Sequence, residues 1–263
     1  MTCQALTYGT PINAYLFNQI EVGGLNLTER TAEMVDFTAA YCMLAAAAFT
    51  LLRPCWPVLV PVAAWQLAVA LADCHLGGKQ SFGVALSVSA VEYARYLELP
   101  AHAARYVCPL ALALLRPWPS NSSPPGTRIT GVIWGLRLSA SLMFLAHGVE
   151  SLLLHPAFVD YLLVAAQRLL GWEMAQETAE ILLRIIGAVD IAVAIALLGW
   201  RWRAVAFWMA FWGAVTAFAR IVHGGWGSYD ETLVRAAHAG VPLAVGLYWW
   251  LSSKPTMLQD KPT

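Results

Sequence analysis

Charge is what this sequence has least of. Only 12% of its 263 residues are Asp, Glu, Lys or Arg, 59% are apolar, and the mean hydropathy is +0.59. Soluble domains carry about a quarter charged residues, so this composition argues against a water-soluble globular protein. Lysine is scarcer still: Lys79, Lys254 and Lys261 are the full set. None lies inside an apolar run, which excludes a retinal pump, whose Schiff base needs a lysine deep in a helix. There is no Gly-rich phosphate loop, no GxSxG and no HExxH, and no loop long enough to hold a soluble catalytic domain. The five cysteines (Cys3, Cys42, Cys55, Cys74, Cys108) make neither a CxxC pair nor a zinc-like cluster. Four sit in or beside apolar runs, where a thiol behaves as a small hydrophobe, and a Cys3–Cys74 disulfide is disfavoured. No Lys or Arg precedes the first hydrophobic run, so no cleavable signal peptide is predicted. Sixteen bases balance sixteen acids, which removes a basic nucleic-acid binder and an acidic disordered tail.

Long apolar runs are what the sequence does have. A spanning helix needs about 20 mostly apolar residues, and seven stretches qualify: 34–52, 56–75, 97–116, 130–154, 179–199, 203–223 and 233–252. The third is interrupted by Pro100 and Pro109. Residues 155–172 form an amphipathic segment with Asp160 and Arg168, read as interfacial, and 83–96 resemble it. The expected architecture is all-α: a polytopic transmembrane helix bundle of about seven spans, arranged three plus four. Five segments follow: an amphipathic N-terminal segment on the outer face (1–30), a three-helix half (31–117), a cytoplasmic Pro/Ser linker (118–128), a four-helix half (129–252) and a disordered cytoplasmic tail (253–263).

Short loops rich in Arg and Lys are cytoplasmic. Arg53, Arg116, Arg128, Arg201, Arg203, Lys254 and Lys261 follow the odd-numbered spans. The N-terminus is therefore expected outside and the C-terminus inside, in a bacterial-type cytoplasmic (inner) membrane. With Arg137, that inner half holds eight of the sixteen bases but only one acid, Asp260, while all six histidines fall outside.

Residues 31–78 align without a gap to 178–225, at a constant offset of 147, with thirteen of 48 positions identical. Thr31-Ala32-Glu33, Trp65 and Gly77-Gly78 match Thr178-Ala179-Glu180, Trp212 and Gly224-Gly225. Further on, Pro109-Leu110-Ala111 matches Pro242-Leu243-Ala244 after a 14-residue insertion. Gene duplication is the simpler account, ahead of a parallel-repeat transporter.

Ionisable groups inside a span are costly and default to a functional role with a named partner. Arg137 and Asp190 lie about 12 and 13 Å from the inner ends of their helices at the helical rise, which predicts an ion pair between them. A second cluster gathers at the outer mouth: His147, Glu150, Glu180, Arg184, Arg220, His223, Arg235 and His238. Within it, Glu180 and Arg184 are expected to pair at i, i+4. Three chemistries are open there: a polar network closing the bundle, a quinone site with His and Arg on carbonyl oxygens, and a metal or haem centre on His147 and His238. Phe207, Trp208, Phe211 and Trp212 form a stripe that packs on neighbours or lipid, or walls a slot for a quinone tail. Glu33, Asp36, Asp73, His75, His102 and Arg105 in the first half are expected to be a solvated rim.

The text GLRLSASLMFLAHGVESLL, ILLRIIGAVDIAVAIALL, AVAFWMAFWGAVTAFARIVHGG and VRAAHAGVPLAVGLYWWL resembles the DoxX-like family of four-helix membrane proteins. It covers about 129–252, with 31–117 similar to a degenerate copy. The shared features are the early Arg137, the His147-Gly148 pair near the outer end, the acidic residue of the next helix and the late Pro-Leu-Ala. The resemblance implies a neighbourhood of terminal quinol oxidases or thiosulfate:quinone oxidoreductases, hence a quinone cofactor or respiratory-chain partners. It also implies a site confined to 129–252. Two other readings stay open: a small-solute or proton-coupled transporter, and a structural subunit with no site of its own.

Overall fold

The computed structural model describes residues 9–20, 23–76, 95–115 and 126–253. The tail at 254–263, most of the linker and of the 83–96 segment, and residues 1–8 with Cys3 lie outside the described residues. Among them all regular secondary structure is helical: α1 (Pro11–Phe17), α2 (Glu29–Leu52), α3 (Trp56–His75), α4 (Glu98–Ala101), α5 (Ala103–Leu115), α6 (Gly126–Leu152), α7 (Pro156–Leu170), α8 (Gln176–Gly199), α9 (Arg203–Gly224), α10 (Tyr229–Val234) and α11 (Ala236–Ser252). Single 3-10 turns precede α4 and α10. Cys42, Cys55, Cys74 and Cys108 carry free thiols.

Five helices, α2, α3, α6, α8 and α9, are long and apolar enough to cross a membrane. The other two expected spans are broken. The stretch at 97–116 divides at His102 (φ −93°, ψ 0°) and the stretch at 233–252 begins behind a break at Arg235 (φ −96°, ψ 8°). What remains, α5 with 13 residues and α11 with 17, reaches about 20 and 26 Å, short of the ~30 Å hydrocarbon core. Each keeps an internal proline, Pro109 or Pro242, whose missing N–H is tolerated among packed helices. The expected linker ends early, since residues 126–128 already form the first turn of α6.

Helix boundaries recur at the offset of 147, and at 133 after the 14-residue insertion. α2 and α8 run from Glu29 to Leu52 and from Gln176 to Gly199, α3 and α9 start at Trp56 and Arg203, and α5 and α11 start at Ala103 and Ala236.

The centre of the bundle is α6, which packs along α8 and also touches α4, α5 and α11. Its closest approach to α8 is glycine on glycine: a Cβ on Gly148 would stand 2.8 Å from Ile191 Cγ1, and one on Gly187 2.6 Å from the Gly148 carbonyl. Small residues let backbones approach this closely, so dispersion and carbonyl contacts replace a hydrophobic driving force that lipid does not supply. On the other side α9 packs on α11, where Gly213 admits the His238 carbonyl. By contrast α8 and α9 barely meet, and the amphipathic α7 contacts both. α7 starts at His155, whose ring accepts from the Ala157 N–H, and ends at Gly171 in the left-handed region. Arg168 donates to the Val222 carbonyl at 2.7 Å and fastens α7 to the end of α9.

A Gly187→Val exchange should cost about 1–3 kcal/mol through overpacking and lower the yield of folded protein. Gly240→Ala, where a Cβ meets nothing, should be tolerated. Thermal unfolding in detergent compares the two.

Candidate functional site

The predicted Arg137–Asp190 ion pair does not form. Arg137 is buried, and its Nε and Nη2 donate to the Leu197 carbonyl at 3.0 and 2.7 Å, with Nη2 also reaching the Leu198 carbonyl at 2.7 Å. Its guanidinium lies over Trp134 (3.9 Å) and Trp249 (5.2 Å). The reason is register. With Gly148 set on Gly187, antiparallel helices bring Arg137 level with the last turn of α8, where carbonyls lack intrahelical donors and the dipole is negative. Counting depth from assumed helix ends misplaced the acid by about two turns. Asp190 instead lies near His147, accepts from the Trp212 indole N–H, and leaves Oδ1 without a partner.

Asp190 lines a cavity of about 200 Å³ among α6, α7, α8, α9 and α11. Most of its wall is apolar: Met143, Phe144, Leu162, Leu183, Ile186 and Val215. Its polar groups are few: Asp190, Trp212, Thr216, His147, His238, Tyr161 and Arg220. This chamber sits in the gap that α8 and α9 leave under α7.

A second cavity of about 340 Å³ adjoins it at the end of the bundle where α6 stops and α8 starts. The two share His147, Phe158, Tyr161 and Arg220 on their walls. This vestibule is polar, with Arg105, Arg220 and Arg235 facing Asp73, Glu98, Glu150, Asp230 and Glu231, plus His102 and His155. His147 Nδ1 and Glu150 Oε2 are 2.8 Å apart, which fixes the ring between the chambers. The Arg220 guanidinium lies 5.0 Å from the Tyr161 ring centre and donates to the Thr216 carbonyl. The Nε atoms of all three arginines, His238 Nε2 and both oxygens of Asp230 are buried with no hydrogen-bond partner. Buried polar atoms in this state are rare in proteins, and here they surround open space that a polar ligand would fill.

The predicted mouth cluster is thus brought together in part. His147, Glu150, Arg220, Arg235 and His238 line the two chambers. Glu180 and Arg184 do not. Glu180 accepts from Gln176 at 2.9 Å rather than pairing with Arg184, which points outward from the bundle. His223 is exposed and meets the far face of Tyr161 edge-on at 5.1 Å. His147 and His238 touch edge to face with centroids 5.1 Å apart, so a flat haem has no room between them. The aromatic slot reduces to Trp212. Trp208 and Phe211 are exposed, with Trp208 stacked on Trp212, and Phe207 packs against Gly246 of α11.

The expected rim of the first half is the larger correction. Glu33 and His75 are exposed, but Asp36 is buried and accepts from the Thr10 N–H and hydroxyl at 2.5 Å each. Asp73, His102 and Arg105 line the vestibule, so this site is not confined to 129–252. The sequence reading also missed Phe158 and Tyr161. Their spacing with His155 at 155, 158 and 161 was a readable signal that α7 presents one face inward. Asp230 and Glu231, in the short α10, carried no signal.

Removing the α8 cap should destabilise more than neutralising the acid. Arg137→Gln should lose about 1.5–3 kcal/mol, the scale of hydrogen bonds to a charged group, and Arg137→Lys should not restore it, because a point charge cannot fork across two carbonyls. Asp190→Asn, with no ion pair to break, should unfold at the wild-type temperature. No family model, no curated protein and no solved structure matches this chain, so the chemistry of the site is read from its own residues.

Proposed function

We propose that this is a polytopic inner-membrane protein that binds a quinone in the chamber beneath the vestibule, as an accessory or quinone-linked component of respiratory redox chemistry. One observation carries the reading. An apolar cavity walled by the Trp212 indole between loosely joined helices ends at a few polar groups, His147, Tyr161, Arg220 and His238. Carbonyl oxygens of a quinone head accept from such donors, and its isoprenoid tail suits the apolar gap between α8 and α9. The similarity of residues 129–252 to the DoxX-like family points the same way.

In this reading α5 and α11, with the turns before them, serve as the third and seventh spans. The N-terminus is outside and the vestibule opens on the outer face. The matching helix boundaries support an origin by duplication of the two halves. A carrier is less well supported: beyond the chamber, Val132, Leu136, Ala140, Leu197, Met209 and Val245 form a packed apolar core.

Purified protein should bind decyl-ubiquinone near one per chain. His238→Ala and Trp212→Leu should each weaken binding about tenfold or more, equivalent to roughly 1.4 kcal/mol, while Trp208→Leu should not. A protein that takes up no quinone of either benzo- or naphtho- type ends this reading. Orientation is tested separately: a fluorescent protein fused after Thr263 should fold and fluoresce in the cytoplasm, and a periplasmic C-terminus would reverse the topology.

A further inference from the structure

Among the described residues the vestibule wall carries Asp73, Glu98, Glu150, Asp230 and Glu231 beside Arg105, Arg220 and Arg235. Asp73, Glu150 and Asp230 are more than nine-tenths buried.

One corner of it groups donors of metal-ligating type. A carboxylate oxygen of Asp73, one of Glu98 and a ring nitrogen of His102 all lie within 4.8 Å of one another. α3 supplies Asp73 at its last turn. Glu98 and His102, four residues apart, share one face of the short α4 and its cap. Nitrogen and oxygen ligands at 2.0–2.2 Å from one ion stand roughly 3–4 Å apart, so a closing of at most about 1–2 Å completes the set. A second observation comes from another element: Asp230, only 2% exposed, lines the same vestibule with neither carboxylate oxygen hydrogen-bonded.

We propose that Asp73, Glu98 and His102 bind one divalent transition-metal ion on the vestibule wall, with the Asp230 carboxylate facing the same space. Mixed carboxylate and imidazole donors suit manganese, iron or zinc over calcium or copper(I). The site is separate from the quinone chamber and does not depend on that reading. The alternative is a corner closed by its own side chains with no ion: His102 lies 3.7 Å from Glu98, and His147 pairs with Glu150. The experiment separates the two.

Full-length protein in detergent, stripped with chelator and passed through a desalting column, is titrated with Mn²⁺ and followed by electron paramagnetic resonance, then with Zn²⁺ by calorimetry. The expected result is saturable binding of one Mn²⁺ per chain, displaced by Zn²⁺. Affinity should fall more than about tenfold in His102→Ala and in Glu98→Gln, and stay unchanged in His223→Ala, which removes an exposed imidazole. Asp73→Asn should match them; if it aggregates, the two partly exposed positions still decide. No saturable uptake by the wild type, or equal affinity in wild type, His102→Ala and Glu98→Gln, overturns the site.

Discussion

The contact between α6 and α8 sets the geometry of everything above it. Gly148 on Gly187 brings the two backbones together at one level, and Arg137 on the Leu197 and Leu198 carbonyls fixes them at another, ten to eleven residues away. Two fixed points on antiparallel helices leave no freedom of register. That register, and not a charge pair, decides that Asp190 stands near His147. The arginine is stable there because it loses little by leaving water. Its donors meet carbonyls that have no helical partner, and its faces meet two indoles. A lysine would meet neither condition as well.

What α6 joins tightly, the rest of the second half leaves loose. α8 is held by α6 and α9 by α11, so the space between α8 and α9 is closed by α7 alone. An amphipathic helix is suited to that place. Its apolar side, with Phe158 and Leu162, faces the lower chamber, and Tyr161 reaches the boundary with the vestibule. The result is a cavity with an oily lower part and a wet upper one, divided by His147, Phe158, Tyr161 and Arg220. A molecule with one polar and one apolar end would experience both environments without either being forced on it.

The sequence made the helices legible because their signal is local. Apolar runs bounded by Arg, Trp or Pro predicted α2, α3, α6, α8 and α9 closely. It also predicted α7 as a separate amphipathic piece. Two broken stretches were counted as spans, the one at 97–116 already interrupted by Pro100 and Pro109, because hydropathy does not register a single residue in bridge-region backbone, as at His102 and Arg235. The site was legible only by composition. His147, Glu150, Arg220, Arg235 and His238 were named because polar residues in apolar helices stand out. Pairing was not legible, since it depends on interhelical register, which a one-turn error shifts by about 5.4 Å. The first half was misjudged for a related reason: Asp73, His102 and Arg105 lie near helix ends, where solvent is the ordinary expectation, and only the tertiary fold turns them inward.

The placement of those three residues bears on how such a vestibule could arise. At an offset of 147, Asp73 matches Arg220. After the 14-residue insertion the offset is 133, and His102 and Arg105 match Arg235 and His238. All but His238 line the vestibule, and His238 lines the chamber beside it. If the halves descend from one ancestral repeat, as we propose, equivalent positions of both copies were brought to one cavity by the fold itself. Identical residues there would have set like charges together in a partly dry space, which costs more as the dielectric falls. Opposite or neutral substitutions on one copy relieve that repulsion. They also make the cavity asymmetric: Asp73 and His102 on the side of α3 and α4 stand where Arg220 and Arg235 stand in the other copy. On this argument the charge exchange is a consequence of duplication into a shared cavity. Among the described residues, the buried polar atoms left without partners mark where relief by substitution stopped.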